Sequence, residues 1–231
     1  MKVVVLTAIW KRHELFNIFK QGFERIKKDS EHELILVTIG SERKTFSKNH
    51  VEIRNNPLSY KWQAGLEYSK TLNPDYVLML GSDDFVCSNL IKTYTKEMEK
   101  GTDLIGLLDC YFLDARTNVF NHWVGYRNHR RGESIGMARM LSKRLLNKLD
   151  WKVWHKPINK GLDGEMMRVF KRLPYTKAMF NCKKANIMAL DVKTDINISK
   201  LKTYRDLKRE DIKNLSTFIS EKEFYSLINL K

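Results

Sequence analysis

Asp83 and Asp84 are adjacent carboxylates that follow the apolar run Tyr76-Val77-Leu78-Met79-Leu80 after Gly81 and Ser82. The run is short, rich in large apolar residues and introduced by Pro74, so it predicts a buried strand of a parallel sheet. Open α/β sheets bind their ligands beyond the carboxyl ends of such strands. Two carboxylates ionised side by side are stable there only with a cation between or beside them. A hard divalent ion carrying a diphosphate meets that need. Capping the next helix is the competing task for these acids, and Ser88, just ahead of Leu90, is the better placed residue for it.

The elements that must hold this pair alternate along the first hundred residues. Residues 3–8 read as a strand, 13–27 as a helix with Leu15, Phe16, Phe19, Phe23 and Ile26 on one face, and 33–39 as a second strand. A short strand at 51–53, a helix over 59–72 ending at Asn73-Pro74, the strand 76–80 and a helix over 88–100 follow. That order predicts an α/β fold with a mainly parallel sheet and helices on both faces. Strands at 103–108, 111–113 and 119–123 joined by short turns predict a small antiparallel patch in the second half. Helices are expected at 136–149 and 162–173, and a last strand at 186–192. From about residue 200 the chain is charged and helical in character.

Composition narrows the function classes. Of 231 residues, 42% are hydrophobic, with 11 Phe, 9 Tyr and 5 Trp, which is enough for a packed core and excludes a disordered chain. The apolar stretches fall far short of a transmembrane span. Met1-Lys2-Val3-Val4-Val5-Leu6 is read as a first strand and not a signal peptide, because no small-residue cleavage site follows before Lys11-Arg12. Cys87, Cys110 and Cys182 are odd in number and form no paired motif, so they are expected as buried reduced thiols in a cytoplasmic protein. The formal net charge is +15. The excess concentrates from Arg127 to Lys160, where ten basic residues face only Glu133 and Asp150. Such a field attracts a polyanion, either nucleic acid or an anionic membrane face; a lysine-rich surface that keeps the protein soluble is the plain alternative.

A strand-borne acidic pair midway through an α/β half, followed by a mixed second half, resembles the GT-A fold glycosyltransferases, their family-2-like branch most of all. The triplet Ser82-Asp83-Asp84 resembles their Asp-any-Asp motif with Ser at the first position. Four further segments look similar: residues 56–66 (Asn56-Pro57-Leu58 onward), 132–142 (Gly132-Glu133-Ser134 onward), 159–165 (Asn159-Lys160-Gly161-Leu162-Asp163-Gly164-Glu165) and 190–197 (Leu190-Asp191-Val192-Lys193-Thr194-Asp195-Ile196-Asn197). The resemblance spans about residues 1–200. It implies a single GT-A-like domain over 1–200, with a nucleotide-sugar half at 1–100, an acceptor half at 101–200 and a helical tail at 201–231.

The resemblance also assigns roles. Asp84 would hold Mn²⁺ or Mg²⁺, with Asp83 as second ligand or ribose partner. Thr7, Ala8, Arg12 and Ser41 would contact base or ribose, with Glu42 the nearest acid, and Lys61 and Ser82 would lie by the diphosphate. Asp163 would be the catalytic base, with Glu165 in reserve. His122, His129 and His155 are third-ligand candidates by residue type alone, and Trp123 is a candidate to stack on a sugar ring. The implied activity is inverting transfer from a nucleotide-sugar, by default a UDP-sugar, to an acceptor hydroxyl. A modified base in DNA, reached through the basic stretch as in virus-type DNA modification, is one expected acceptor. A saccharide or lipid-linked acceptor at the cytoplasmic membrane face, with peripheral contact through the same lysines, is the alternative; a non-catalytic basic nucleic-acid binder on the same scaffold is another. A nucleotidyltransferase is set aside because Thr7-Ala8-Ile9-Trp10-Lys11-Arg12 lacks the glycines of a phosphate loop.

Overall fold

A computed structural model describes residues 1–42, 46–197 and 200–230. In chain order the elements are β1 (Lys2–Ala8), α1 (His13–Asp29), β2 (Glu33–Gly40), β3 (Asn49–Glu52), α2 (Leu58–Thr71), β4 (Tyr76–Met79), β5 (Asp84–Val86) and α3 (Ser88–Glu99). Then come β6 (Leu104–Leu107), β7 (Cys110–Asp114), β8 (Val119–Trp123), β9 (Arg139–Ser142), α4 (Lys143–Lys148) and α5 (Leu162–Phe170). The chain finishes with β10 (Lys177–Phe180), α6 (Cys182–Ala185), β11 (Ala189–Lys193), β12 (Leu207–Arg209) and α7 (Glu221–Ile228).

Seven strands form the main sheet in the order β10-β6-β9-β4-β1-β2-β3. All neighbours in it run parallel except β9, which is antiparallel to β4 and to β6. The continuous apolar run of β1 has a simple cause: both faces of the strand are buried. Val3 and Val5 pack with Phe16, Phe19 and Tyr94 on one side, while Val4 and Leu6 pack with Leu66, Leu145 and Phe170 on the other. Helix α2 lies so close to the sheet that a Cβ on Gly65 would sit 2.3 Å from Ile39 Cδ1. A second sheet, ordered β12-β8-β7-β11-β5, stands beside the first. Its β7–β8 hairpin and the β8–β12 and β11–β5 pairs are antiparallel, and β11–β7 is parallel.

Three expectations change. Residues 136–149 are not one helix: Arg139-Met140-Leu141-Ser142 form β9, in the middle of the main sheet, and only Lys143–Lys148 are helical. Met140 and Leu141 belong to opposite cores, which is strand geometry, and the Ser142 hydroxyl caps the short helix by accepting from Leu145 N at 3.0 Å. Ser88 is not the N-cap of α3. Cys87 is, without a side-chain cap, while Ser88 Oγ accepts from Arg25 Nη1 at 2.8 Å and donates to Asp29 at 2.5 Å. The tail is not helical throughout, since β12 joins the second sheet before α7 docks on α1 through Arg25 Nε and buried Glu223 Oε2, 2.7 Å apart. All three cysteines are buried and free. Among the described residues no helix is long and apolar enough to cross a membrane.

Candidate active site

A cavity of about 750 Å³ opens over the carboxyl ends of β1 and β4 and is closed on its far side by the second sheet and the start of α5. Ala8 and Arg12 reach it from the turn after β1, Lys61 from α2, and Gly81, Asp83 and Asp84 from the turn after β4. Asp191 and Lys193 come from β11, and Asp163 from the first turn of α5.

At the acidic end the two sheets meet. Asp84 and Asp191 are direct partners in the β5–β11 pair, and Val192 N donates to Asp83 O at 2.8 Å. Asp83 Oδ2 accepts from Arg12 Nη1 and, at 2.6 Å, from Asn197 Nδ2; Arg12 Nη2 donates to Ser82 Oγ at 3.2 Å. Asp84 is buried and its Oδ2 accepts from Gly81 N at 2.5 Å. Gly81 is needed here, because a Cβ on it would fall 2.6 Å from Asp83 Oδ1. Lys193 Nζ donates to Asp191 Oδ2 at 2.5 Å and lies 4.9 Å from the centre of the Phe112 ring. Asp191 Oδ1 is buried and has no hydrogen-bond partner among the described residues.

Electrostatics follow from this crowding. Burial, with the charges of Asp83 and Asp191 beside it, raises the Asp84 carboxyl well above the usual range, so its neutral form is favoured. Burial pushes Asp191 up to about 6, against the pull of Lys193. Lys193 itself is raised: burial opposes its charge, but Asp191 and Asp83 outweigh that cost. Lys61 is 1% exposed, donates to Ile9 O at 2.6 Å and Asn55 Oδ1 at 2.9 Å, and is lowered by burial to about 8.

A divalent ion was expected on Asp84 and Asp83. The donor set as folded does not fit one. Asp83 Oδ2, Asp84 Oδ2 and Asp191 Oδ2 already accept from protein donors, two of which are cations. An ion bound here would lie against the Lys193 ammonium, which competes with it for Asp191. Among the described residues no group of three or more His, Cys, Asp or Glu is placed to share one ion. His122 is committed elsewhere, with Nε2 2.8 Å from Asp109 Oδ2, and neither it nor His129 nor His155 lines the cavity.

The opposite end centres on Asp163. Its Oδ2 accepts from Tyr126 Oη and, at 2.9 Å, from Arg130 Nη2, while Arg130 stacks 3.5 Å over the Tyr126 ring. Burial works against its charge, but Tyr126, Arg139 and Arg130 together hold the carboxyl below the ordinary range, so it is ionised near neutral pH. Beneath it Arg139 is 1% exposed and pairs with no carboxylate directly: it donates to Asp163 O at 2.9 Å and to Ser134 Oγ and O, both at 2.6 Å. Trp123 lines the wall, packed edge-on by Tyr126 and Tyr204.

The cavity thus brings together Ala8, Arg12, Lys61, Asp83, Asp84 and Asp163. Thr7 and Ser82 are buried just behind it. Ser41 and Glu42 lie outside, where Glu42 pairs with His13 and accepts from Lys11 N at 2.9 Å. Glu165 also lies outside, ion-paired to Arg168. The basic stretch is not one patch: Arg130, Arg139 and Arg144 are spent on internal partners, the last on Asp103 at 2.9 Å, and Lys152 pairs with Asp150 at 3.0 Å. Sequence reading missed Asp191, Lys193, Asn197, Tyr126, Arg130 and Arg139 as site residues. Asp191 and Lys193, two apart at a strand end and so on one face, were the readable signal among them.

The chain matches no protein-family model and no curated protein. Its architecture is nevertheless shared by solved structures. S. aureus TarS (residues 1–349) superposes with a TM-score of 0.54 at 11% identity, over 84% of this chain and 58% of that one. A glycosyltransferase involved in the glycosylation of the major capsid of PBCV-1 gives 0.51 at 13% identity, over 83% and 93%. A197 from STIV gives 0.50 at 12% identity, over 91% and 95%. The fold is therefore GT-A-like. The chain spans little more than half the length of the TarS structure.

Proposed function

We propose that this protein is a glycosyltransferase that moves a sugar from a nucleotide-sugar, by default a UDP-sugar, to an acceptor hydroxyl. The observation that supports this best is one cavity lined both by the cluster of Asp83, Asp84, Asp191, Arg12 and Lys193 and by an ionised Asp163 held by Tyr126 and Arg130. Transfer demands that arrangement. The bond between the anomeric carbon and the diphosphate oxygen breaks, its electron pair leaving with the nucleoside diphosphate. The acceptor oxygen bonds the anomeric carbon and gives its proton to Asp163, held ready by Tyr126 and Arg130. Inversion is the stereochemistry of such a direct displacement. Arg12, Asp83 and Lys61 lie at the donor end, beside Ala8, where ribose and phosphate would bind.

Mn²⁺ or Mg²⁺ at Asp84 is the second reading of how the diphosphate is neutralised, and the partnerless Asp191 Oδ1 opposite Asp84 favours it. An ion there requires Lys193 to leave Asp191. For the acceptor, a hydroxylated base in DNA is proposed, because exposed Lys160 lines the cavity itself and Lys156, four positions before it, is exposed as well. Calorimetry with UDP, followed by a screen of nucleotide-sugars for slow hydrolysis, tests the donor assignment. Micromolar UDP binding and hydrolysis of one donor above the others are expected. No binding of any nucleoside diphosphate, with or without Mn²⁺, would remove it.

A further inference from the structure

Lys193 is a strand-end lysine given no role in the sequence motifs, yet it is a nearly buried cation that lines the cavity. Its side chain is 7% exposed and lies over the packed pair of Phe112 and Tyr204 rings, whose centres are 4.9 and 5.2 Å from Nζ. Of its three N–H donors only one is spent on a hydrogen bond among the described residues, that to Asp191 Oδ2. Arg12, which also lines the cavity, donates to Asp83 and Ser82. A lysine with donors to spare and an arginine beside it, both fixed by acids at the end of a cavity, can serve as an anion site. The acids that line the same wall hold the two cations in position before a ligand arrives.

We propose that Lys193, backed by Arg12, is the positive charge that meets the donor's diphosphate, in the place where a divalent ion was expected. Asp191 then acts as a positioning residue that aims the ammonium, and Asn197 does the same for Asp83. As the nucleoside diphosphate departs, the charge left on its oxygen falls on an ammonium already in place. The inference rests on the donor reading above.

The test is calorimetry on the full chain in EDTA and again in Mn²⁺, with UDP and with uridine as probes. Wild type should bind UDP in EDTA and hold it tighter than uridine. Lys193→Gln should weaken UDP by about tenfold to a hundredfold, the size of a lost charge-assisted contact, and leave uridine unchanged. Lys193→Arg should recover most of the loss. The uridine arm reads folding directly, and the wild-type comparison in EDTA needs no variant at all. UDP binding that appears only with Mn²⁺ overturns the inference while leaving the donor reading intact, as does Lys193→Gln with unchanged UDP affinity. Binding of neither probe under either condition overturns both.

Discussion

Replacing Asp163 with Asn isolates the proton-accepting step. The substitution keeps shape and removes charge. Its cost to the fold is limited, because the hydrogen bond from Arg139 Nη1 to the backbone oxygen of Asp163, 2.9 Å long, and the buried apolar face of α5 are both retained by Asn. The amide oxygen can still accept from Tyr126 or Arg130, so the loss is the charge-assisted part of two hydrogen bonds, about 1–2 kcal/mol. A positioned base contributes about 10²- to 10⁴-fold in rate. Turnover should therefore fall by that factor, while UDP affinity at the other end of the cavity stays within about threefold. The pH profile supplies a second reading. Hydrogen bonds and nearby arginines hold the Asp163 carboxyl below its ordinary value, so the acid limb of kcat/KM should lie below the usual carboxylate range. The sign for stability is the same: a depressed folded pKa gives stabilisation that is present above the unfolded value and lost as pH falls through the folded one. Near-normal turnover in Asp163→Asn, or its abolition in Glu165→Gln instead, would refute the assignment.

Three further outcomes are expected. Lys61, lowered to about 8 by burial, loses its charge as pH rises past that value, so UDP affinity should decline above pH 8 and the decline should vanish in Lys61→Met; calorimetry across pH 6–9 measures it. The same depressed pKa means that folding stability should rise between about 8 and the unfolded lysine value, because the unfolded chain holds the extra proton there. Glu223→Ala should cost about 3 kcal/mol in denaturant unfolding, since it leaves Arg25 without its carboxylate and removes the α7 capping box; an unchanged midpoint would show that the tail is not bound through this pair. Duplex DNA carrying hydroxylated bases should bind with an affinity that falls steeply between 50 and 200 mM salt, whereas selective binding to anionic vesicles would transfer the acceptor to a membrane face.

Where burial follows a simple period the sequence was easy to read. The stripe of Leu15, Phe16, Phe19 and Phe23 gave α1, and the unbroken run of Val3, Val4, Val5 and Leu6 gave a central strand. Arg139-Met140-Leu141-Ser142 defeated the same reasoning, because a four-residue strand buried on both faces carries a charge inside and shows no alternation. The three residues of β5 were hidden in the turn that holds the acids. For the site, Asp83 and Asp84 announced themselves by lying beyond an apolar strand. The contact of Asp163 with Tyr126 spans 37 positions, and two of the partners of Arg139 are the backbone oxygens of Ser134 and Asp163, which no side-chain pattern encodes. Lys61 is similar, since its partners Ile9 O and Asn55 Oδ1 exist only once α2 has docked on the sheet.

The pairing of Asp84 with Asp191 makes the candidate site a matter of alignment between distant stretches of chain. Strand side chains alternate, so a slip of β11 by a single residue would turn Leu190 and Val192 to the face that Asp191 and Lys193 now occupy, and would put hydrocarbon where the charges belong. More than a hundred residues separate the two partners, so a polypeptide still emerging from the ribosome has made β1, β2 and β4 before the strand that completes this wall of the cavity.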